Sequence, residues 1–180
     1  MQEEKKFIQE LLNPKTQNKA FEILLKNFQK PLYNHIRNIV LNHDDADDVL
    51  QNTFVKVFQN LNKFKGESKL FSWVYRIATN EALTFLNKKS KLAGVSSEAL
   101  QNKTIDNLQS DVYFDGNEIQ IKLQRAIAIL PEKQQLVFKM KYFEELKYEE
   151  ISEILGTSVG ALKASYHIAV KKIEAFVTKN

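Results

Sequence analysis

A chain of 180 residues, 43% apolar and 27% charged, is large enough to bury one ordinary core or two small helical ones, and too apolar to stay disordered. Twenty-six Lys and Arg against 22 Asp and Glu give a formal charge of +4, a modest bias toward polyanions, and the lack of cysteine excludes a disulfide framework and a thiolate metal site. No apolar run nears the roughly 20 residues that cross a bilayer, and the start Met1 to Lys6 is polar, so a cytoplasmic chain with no membrane insertion is expected.

Five Gly and three Pro fall mostly where one helical pattern stops and the next begins, so the chain reads as all-α with little or no strand. Helices are predicted at about 3–12, 17–28, 31–41, 45–62, 69–90, 117–129, 132–144, 148–155 and 159–177. Asp44, Asp45, Asp47 and Asp48 crowd the first turn of the fourth, which continues through Val49, Leu50, Phe54, Val57, Phe58 and Leu61. The helix dipole explains one or two carboxylates there; the surplus suggests a basic protein partner.

Next comes the loop Phe64, Lys65, Gly66, Glu67, Ser68, Lys69, with the means to form a small pocket. In the helix that follows, Leu70, Trp73, Val74, Ile77 and Ala78 make a core stripe, which marks Trp73 as packing. Off that stripe run Arg76, Asn80, Thr84, Asn87, Lys88 and Lys91, with Phe71 and Tyr75 beside them. Amides that read a splayed base, cations that hold the backbone and rings that stack would suit single-stranded DNA; a solvated helix face is the equally open alternative.

Residues 92–117 lack a sustained period and are rich in Ser, Asn and Asp, the composition of a flexible linker. Charge follows the same division: 15 basic and 10 acidic side chains in 1–94, one and four in 95–117, ten and eight in 118–180. The fold class expected is two small helical domains, 1–91 and 118–180, joined by an acidic strap.

In the second domain Ile151, Ile154 and Leu155, then Val159, Leu162, Tyr166, Ala169 and Ile173, recur at helical spacing on either side of Gly156. Gly156 can take the left-handed conformation that ends a helix, and Ser158 can cap the next, which is the pattern of a helix-turn-helix. Its second helix presents Ser158, Gly160, Lys163, Ala164, His167 and Lys171 outward, small residues for close approach and cations for phosphate or base edges. A plain helical hairpin in a bundle has the same spacing. No catalytic residues, metal-ligand cluster or cofactor motif emerge, so neither a metal nor a cofactor is expected, and an enzyme is the weak reading.

The blocks DADDVLQNTFVKVFQNLNKFKGESKLFSWVYRIATNEALTFLNKK and AILPEKQQLVFKMKYFEELKYEEISEILGTSVGALKASYHIAVKKIE, in this order and at this spacing, resemble the extracytoplasmic-function group of bacterial RNA polymerase sigma factors over nearly the whole chain. The resemblance implies a subunit without activity of its own. It binds core RNA polymerase, reads a minus-35 element with the carboxyl-terminal helix-turn-helix and opens a minus-10 element with the amino-terminal domain. On this pattern Asp47, Asp48, Gln51 and Phe54 dock on core polymerase. Lys65, Ser68 and Lys69 with Arg76, Asn80, Thr84, Asn87 and Lys88 meet minus-10 DNA, the loop and Asn80 forming a flipped-base pocket. Ser158, Gly160, Lys163, Ala164, His167 and Lys171 meet minus-35 DNA. The acidic linker would pass toward the RNA path.

An anti-sigma factor, often a membrane protein in this family, is an expected partner beside polymerase and promoter DNA. This chain departs from the family pattern at Asn52, usually Glu, and at Ser165, Ile168 and Val170, often Arg. Val74 stands where primary sigma factors carry a second Trp after Trp73. The competing reading is a conventional helix-turn-helix regulator that footprints a palindrome without polymerase.

Overall fold

The computed structural model describes residues 2–111 and 116–179. Its α-helices are α1 (Gln2–Leu12), α2 (Gln17–Val40), α3 (His43–Gln59), α4 (Leu70–Ala93), α5 (Ser97–Asp106), α6 (Glu118–Ala128), α7 (Glu132–Tyr142), α8 (Tyr148–Leu155) and α9 (Val159–Lys179), with short 3-10 turns at Leu61–Lys63 and Leu108–Ser110. No strand occurs among the described residues. None of the described helices is long and apolar enough to cross a membrane.

Three helices, α2, α3 and α4, form the amino-terminal unit around Leu24, Leu32, Ile36, Val49, Val57, Val74 and Ala78, each at most 1% exposed. Asn42 starts α3 by accepting a hydrogen bond from the Asp45 N–H. Across the unit, Glu4 of α1 accepts from the Leu70 N–H at 3.3 Å and so serves the first turn of α4.

The two helices expected at 17–28 and 31–41 are one. Pro31 lies inside α2 on its exposed side and removes a single backbone bond, and the buried Leu24, Leu32 and Ile36 on one face hold the turns on either side in line. Helix α2 ends at Leu41, left-handed at φ 64° although it carries a side chain, and its N–H donates to the Arg37 carbonyl.

The carboxyl-terminal unit is α6 to α9, centred on Ala126, Ile127, Leu130, Phe138, Ala169 and Ile173. Helix α7 explains why the two units do not stand apart: Leu136, Val137, Phe138 and Met140 are buried all round its circumference. A helix apolar on every side must be covered on every side. Phe138 faces its own unit, while Leu136, Val137 and Met140, with Ile151, Ile154 and Leu162, join the apolar cluster of the amino-terminal unit.

The connection expected as a flexible linker at 92–117 carries α5, capped by Ser96, which accepts from the Ala99 N–H. Leu100 and Ile105 are buried there, and Ile105 and Leu108 pack with Leu41, Ile121 and Ala128. Residues 112–115 of that segment lie outside the described ones. Arg37 of α2 reaches Asp111 at 2.6 Å.

Lys139 of α7 is 3% exposed, and burial pulls its ammonium down to about 8. The folded chain thus disfavours the charged form that the unfolded chain keeps up to the ordinary lysine range, so stability rises with pH from about 8 toward 10. Burial holds the Tyr75 phenol up, reinforced by Glu144 and Glu150, so above about pH 10 only the unfolded chain loses that proton and the trend reverses. Denaturant titrations across this range are expected to show the rise, by up to about 1.4 kcal/mol per pH unit, and Lys139→Met to abolish it.

Candidate nucleic-acid interface

In the carboxyl-terminal unit the turn between α8 and α9 is built as its residues dictate. Gly156 is left-handed at φ 65° and closes α8 through an N–H bond to the Ser152 carbonyl at 2.9 Å. Ser158 Oγ accepts from the Ala161 N–H at 3.4 Å and opens α9. Leu162, Ala169 and Ile173 turn inward, and Tyr166 stacks on Phe138 with ring centroids 5.8 Å apart. Burial raises the Tyr166 phenol.

The opposite side of α9 presents Ser158, Gly160, Lys163, Ala164, His167 and Lys171, all exposed. The Lys163 ammonium lies 5.8 Å from the Tyr148 ring centroid. A Cβ at Gly160 would meet no atom within 4 Å, so nothing inside the fold requires a glycine at that point of the helix.

On α4, Asn80, Thr84, Asn87, Lys88 and Lys91 are exposed along one side. Arg76 begins the same row, but its guanidinium turns onto α8 and donates to the Glu153 carbonyl. Tyr75 is not beside them for stacking: it is 4% exposed, packed on Phe71 at 4.1 Å and on His35 at 4.8 Å between ring centroids. Trp73 is half-buried against Phe64, 5.1 Å away.

A cavity of about 330 Å³ opens where α3 meets α4, lined by Lys56, Asn60, Lys63, Trp73, Ile77, Asn80 and Glu81. Asn80 therefore shares a pocket with an indole and two lysines. The loop residues Lys65, Ser68 and Lys69, expected to form that pocket with it, do not line it; Lys65 and Lys69 are exposed and Ser68 half-buried beside left-handed Gly66. Lys56 pairs with Glu81. Sequence reasoning missed Lys56 and Lys63 because they come from a different helix and a 3-10 turn, and only α3 packing on α4 makes them neighbours of Asn80.

On α3, Asp48 and Gln51 are exposed and Asp47 is half-exposed, 3.5 Å from His43. Two of the expected docking features differ. Phe54 is 9% exposed and packs in the core, so it offers a partner little surface; Val55 and Phe58, 54% and 40% exposed, are the large apolar side chains open on that helix. The helical stripe Val49, Leu50, Phe54, Val57 carries Phe54 inward. Asp45 is taken up by Lys89 at 2.5 Å, so part of the acidic surplus is structural.

The described residues contain no group of three or more His, Cys, Asp or Glu able to hold a metal ion. What the site offers is surface: one helix row of amides and cations above a pocket with an indole, and a second helix with cations around small residues. Groups of these kinds can meet nucleic acid by charge, stacking and edge reading.

Both halves of the chain are similar to known proteins. The family model for sigma-70 region 2 matches residues 24–92, and that for sigma-70 region 4 matches residues 120–173. The chain is 29% identical over 164 residues to the ECF RNA polymerase sigma-E factor of Haemophilus influenzae, covering 87% of this chain and 86% of that one. It is 28% identical over 156 residues to the ECF RNA polymerase sigma factor SigW of Bacillus subtilis, covering 82% and 83%. In fold it is similar to CnrH, solved in complex with the cytosolic domain of CnrY, at a TM-score of 0.69 and 18% identity over 98% of each chain. It is also similar to the sigma factor RpoE solved with the anti-sigma factor NepR from Bartonella quintana, at 0.65 and 18% identity over 89% and 98%.

Proposed function

Because the chain belongs to the extracytoplasmic-function group of RNA polymerase sigma factors, we propose that its two exposed helix faces divide the reading of a promoter between them. The chain is a promoter-recognition subunit of RNA polymerase. On our reading residues 1–91 dock on the core enzyme through the Asp48 and Gln51 side of α3 and open the minus-10 element. Residues 118–180 read the minus-35 element with α9, and 92–117 connect the two. The subunit does no chemistry itself and works where polymerase and promoter are, in the cytoplasm. Its fold relatives in complex with CnrY and NepR support an anti-sigma factor as a further partner.

One observation carries this reading: the Asn80 to Lys91 row and the Ser158 to Lys171 face are both solvent-exposed. A duplex-only regulator has no use for the first of them. The test is addition of the chain to bacterial core polymerase on a promoter library. Open complexes, seen as permanganate-reactive thymines, are expected; none with any core and promoter, or a palindromic footprint by the chain alone, would refute it.

Two substitutions probe the faces separately. Asn80→Ala leaves binding to core polymerase intact and changes base preference at one minus-10 position, measured by transcription from the four base variants; identical preference in mutant and parent contradicts the role. Gly160→Ala stabilises the chain by about 0.5–1 kcal/mol, since alanine is the better helix former and no atom opposes its methyl. The same methyl stands between α9 and the groove, so activity on promoters that depend on the minus-35 element falls while thermal stability rises. An unchanged promoter profile would remove Gly160 from the interface.

A further inference from the structure

We propose that a cavity between the two helical units binds a small amphiphilic monocarboxylate, its head group at Lys139 and its apolar body among the surrounding leucines. The cavity measures about 410 Å³ and takes its walls from both units and the connection between them: Leu83 and Leu86 of α4, Leu100 of α5, and Leu130, Leu136 and Lys139 around α7. That volume lies within the range of small-molecule sites, which favour junctions between domains.

Lys139 distinguishes this cavity from a packing defect. The side chain is 3% exposed, and among the described residues its ammonium has no hydrogen-bond or ion-pair partner. Lys139 lines the cavity, and an unpaired ammonium with so little access to water is costly for a fold to hold and is relieved most directly by an anion. Its lowered proton affinity agrees with a poorly solvated setting. Water alone could fill the space, but it would leave the leucine walls wet; an apolar chain ending in a carboxylate satisfies both kinds of wall.

Two further residues narrow the ligand. Glu98 and Glu132 also line the cavity, each exposed and each in the first turn of a helix, where the dipole favours them. Their repulsion disfavours a doubly charged phosphate and leaves a single carboxylate as the better match for one lysine. Gln101 and Gln135, hydrogen-bonded to each other at 2.9 Å, offer further amides at the same wall. A ligand seated here touches both units at once and so favours the packed arrangement over any in which they separate.

Sodium octanoate is the probe, with 1-octanol and inorganic phosphate as controls, against thermal unfolding of the full chain and of Lys139→Met. Octanoate at saturation is expected to raise the midpoint of the parent by about 3 °C, and octanol or phosphate by less than a third of that. Lys139→Met should fold at least as well and lose the preference for octanoate over octanol. Amide NMR shifts in the parent should gather at Leu100, Thr104 and Leu136. No octanoate shift, an equal shift in Lys139→Met, an equal shift from octanol or phosphate, or NMR changes confined elsewhere would each overturn the site. None of these readouts involves polymerase, so a failure here is separate from a failure of the promoter reading.

Discussion

Joining Arg76→Cys on α4 to Glu153→Cys on α8 with a short bismaleimide that contains a cleavable disulfide is expected to abolish open-complex formation on promoters that need both elements, by about 100-fold or more. The parent has no cysteine, so the reagent reaches only the introduced pair. The native Arg76 guanidinium donates to the Glu153 carbonyl, which sets α4 and α8 side by side. Asn80 lies one turn beyond Arg76, and Lys163 lies ten residues beyond Glu153. Helix rise and chain reach therefore bound their separation at about 40 Å.

Elements centred near minus-10 and minus-35 are some 25 base pairs apart, or about 85 Å along the duplex. On the proposed division of the promoter between the two faces, the packed chain can serve one element or the other. Losing the contacts of one element, each worth about 1–3 kcal/mol, gives the stated drop from as few as two of them. The unlinked double variant controls for the loss of Arg76, and cleaving the disulfide should restore its level. Full activity while the link is intact would show that the two faces work at the packed spacing.

The second large effect is on stability. His35→Ala is expected to cost about 3 kcal/mol in denaturant titrations, because His35 is 0% exposed and bonded at both ring nitrogens. Its Nδ1 lies 3.0 Å from each oxygen of Glu144, across the boundary between the units, and its Nε2 lies 2.8 Å from the Thr79 hydroxyl. The same hydroxyl also bonds the Tyr75 carbonyl at 2.8 Å, which ties the ring to the backbone of α4.

Removing the imidazole strands a carboxylate that is 10% exposed and leaves a hole beside Tyr75. Glu144→Gln should be milder, since an amide oxygen still accepts. A double-mutant cycle should return a coupling above about 1 kcal/mol, and additivity within about 0.3 kcal/mol would mean that the pair does not hold the units together.

The turn of the helix-turn-helix was legible in the sequence because its two determinants are local: a glycine for a left-handed ending and a hydroxyl for the next cap. The start of α4 and its core stripe were legible for the same reason. Phe54 was readable too, since the stripe through Val49, Leu50 and Val57 points inward; family resemblance pulled it toward a surface that its own spacing denies it. The helix α5 was not, because a segment of Ser, Asn, Gln and Thr has little propensity, and Leu100 and Ile105 make it helical only by finding cover on other elements.

Continuity of α2 through Pro31 likewise depends on burial on either side of the proline. The pocket beside Asn80 and the cavity beside Lys139 are products of packing between distant segments, and no periodicity within one helix announces them.

Leu41 bears on how readily the packed chain lets go. A leucine at φ 64° costs about 1–2 kcal/mol over a relaxed residue, and what offsets it is the cover it receives from Ile105, Leu108, Ile121 and Ala128. Those four belong to the connection and to α6, the parts that must travel if the carboxyl-terminal unit swings out along a promoter. Once they leave, that cover is lost while the strain stays, because Asn42 caps α3 at the next residue and the packing of α2 on α3 holds Leu41 where it is. Closing the two halves therefore shelters a strained turn that separation would leave bare to water.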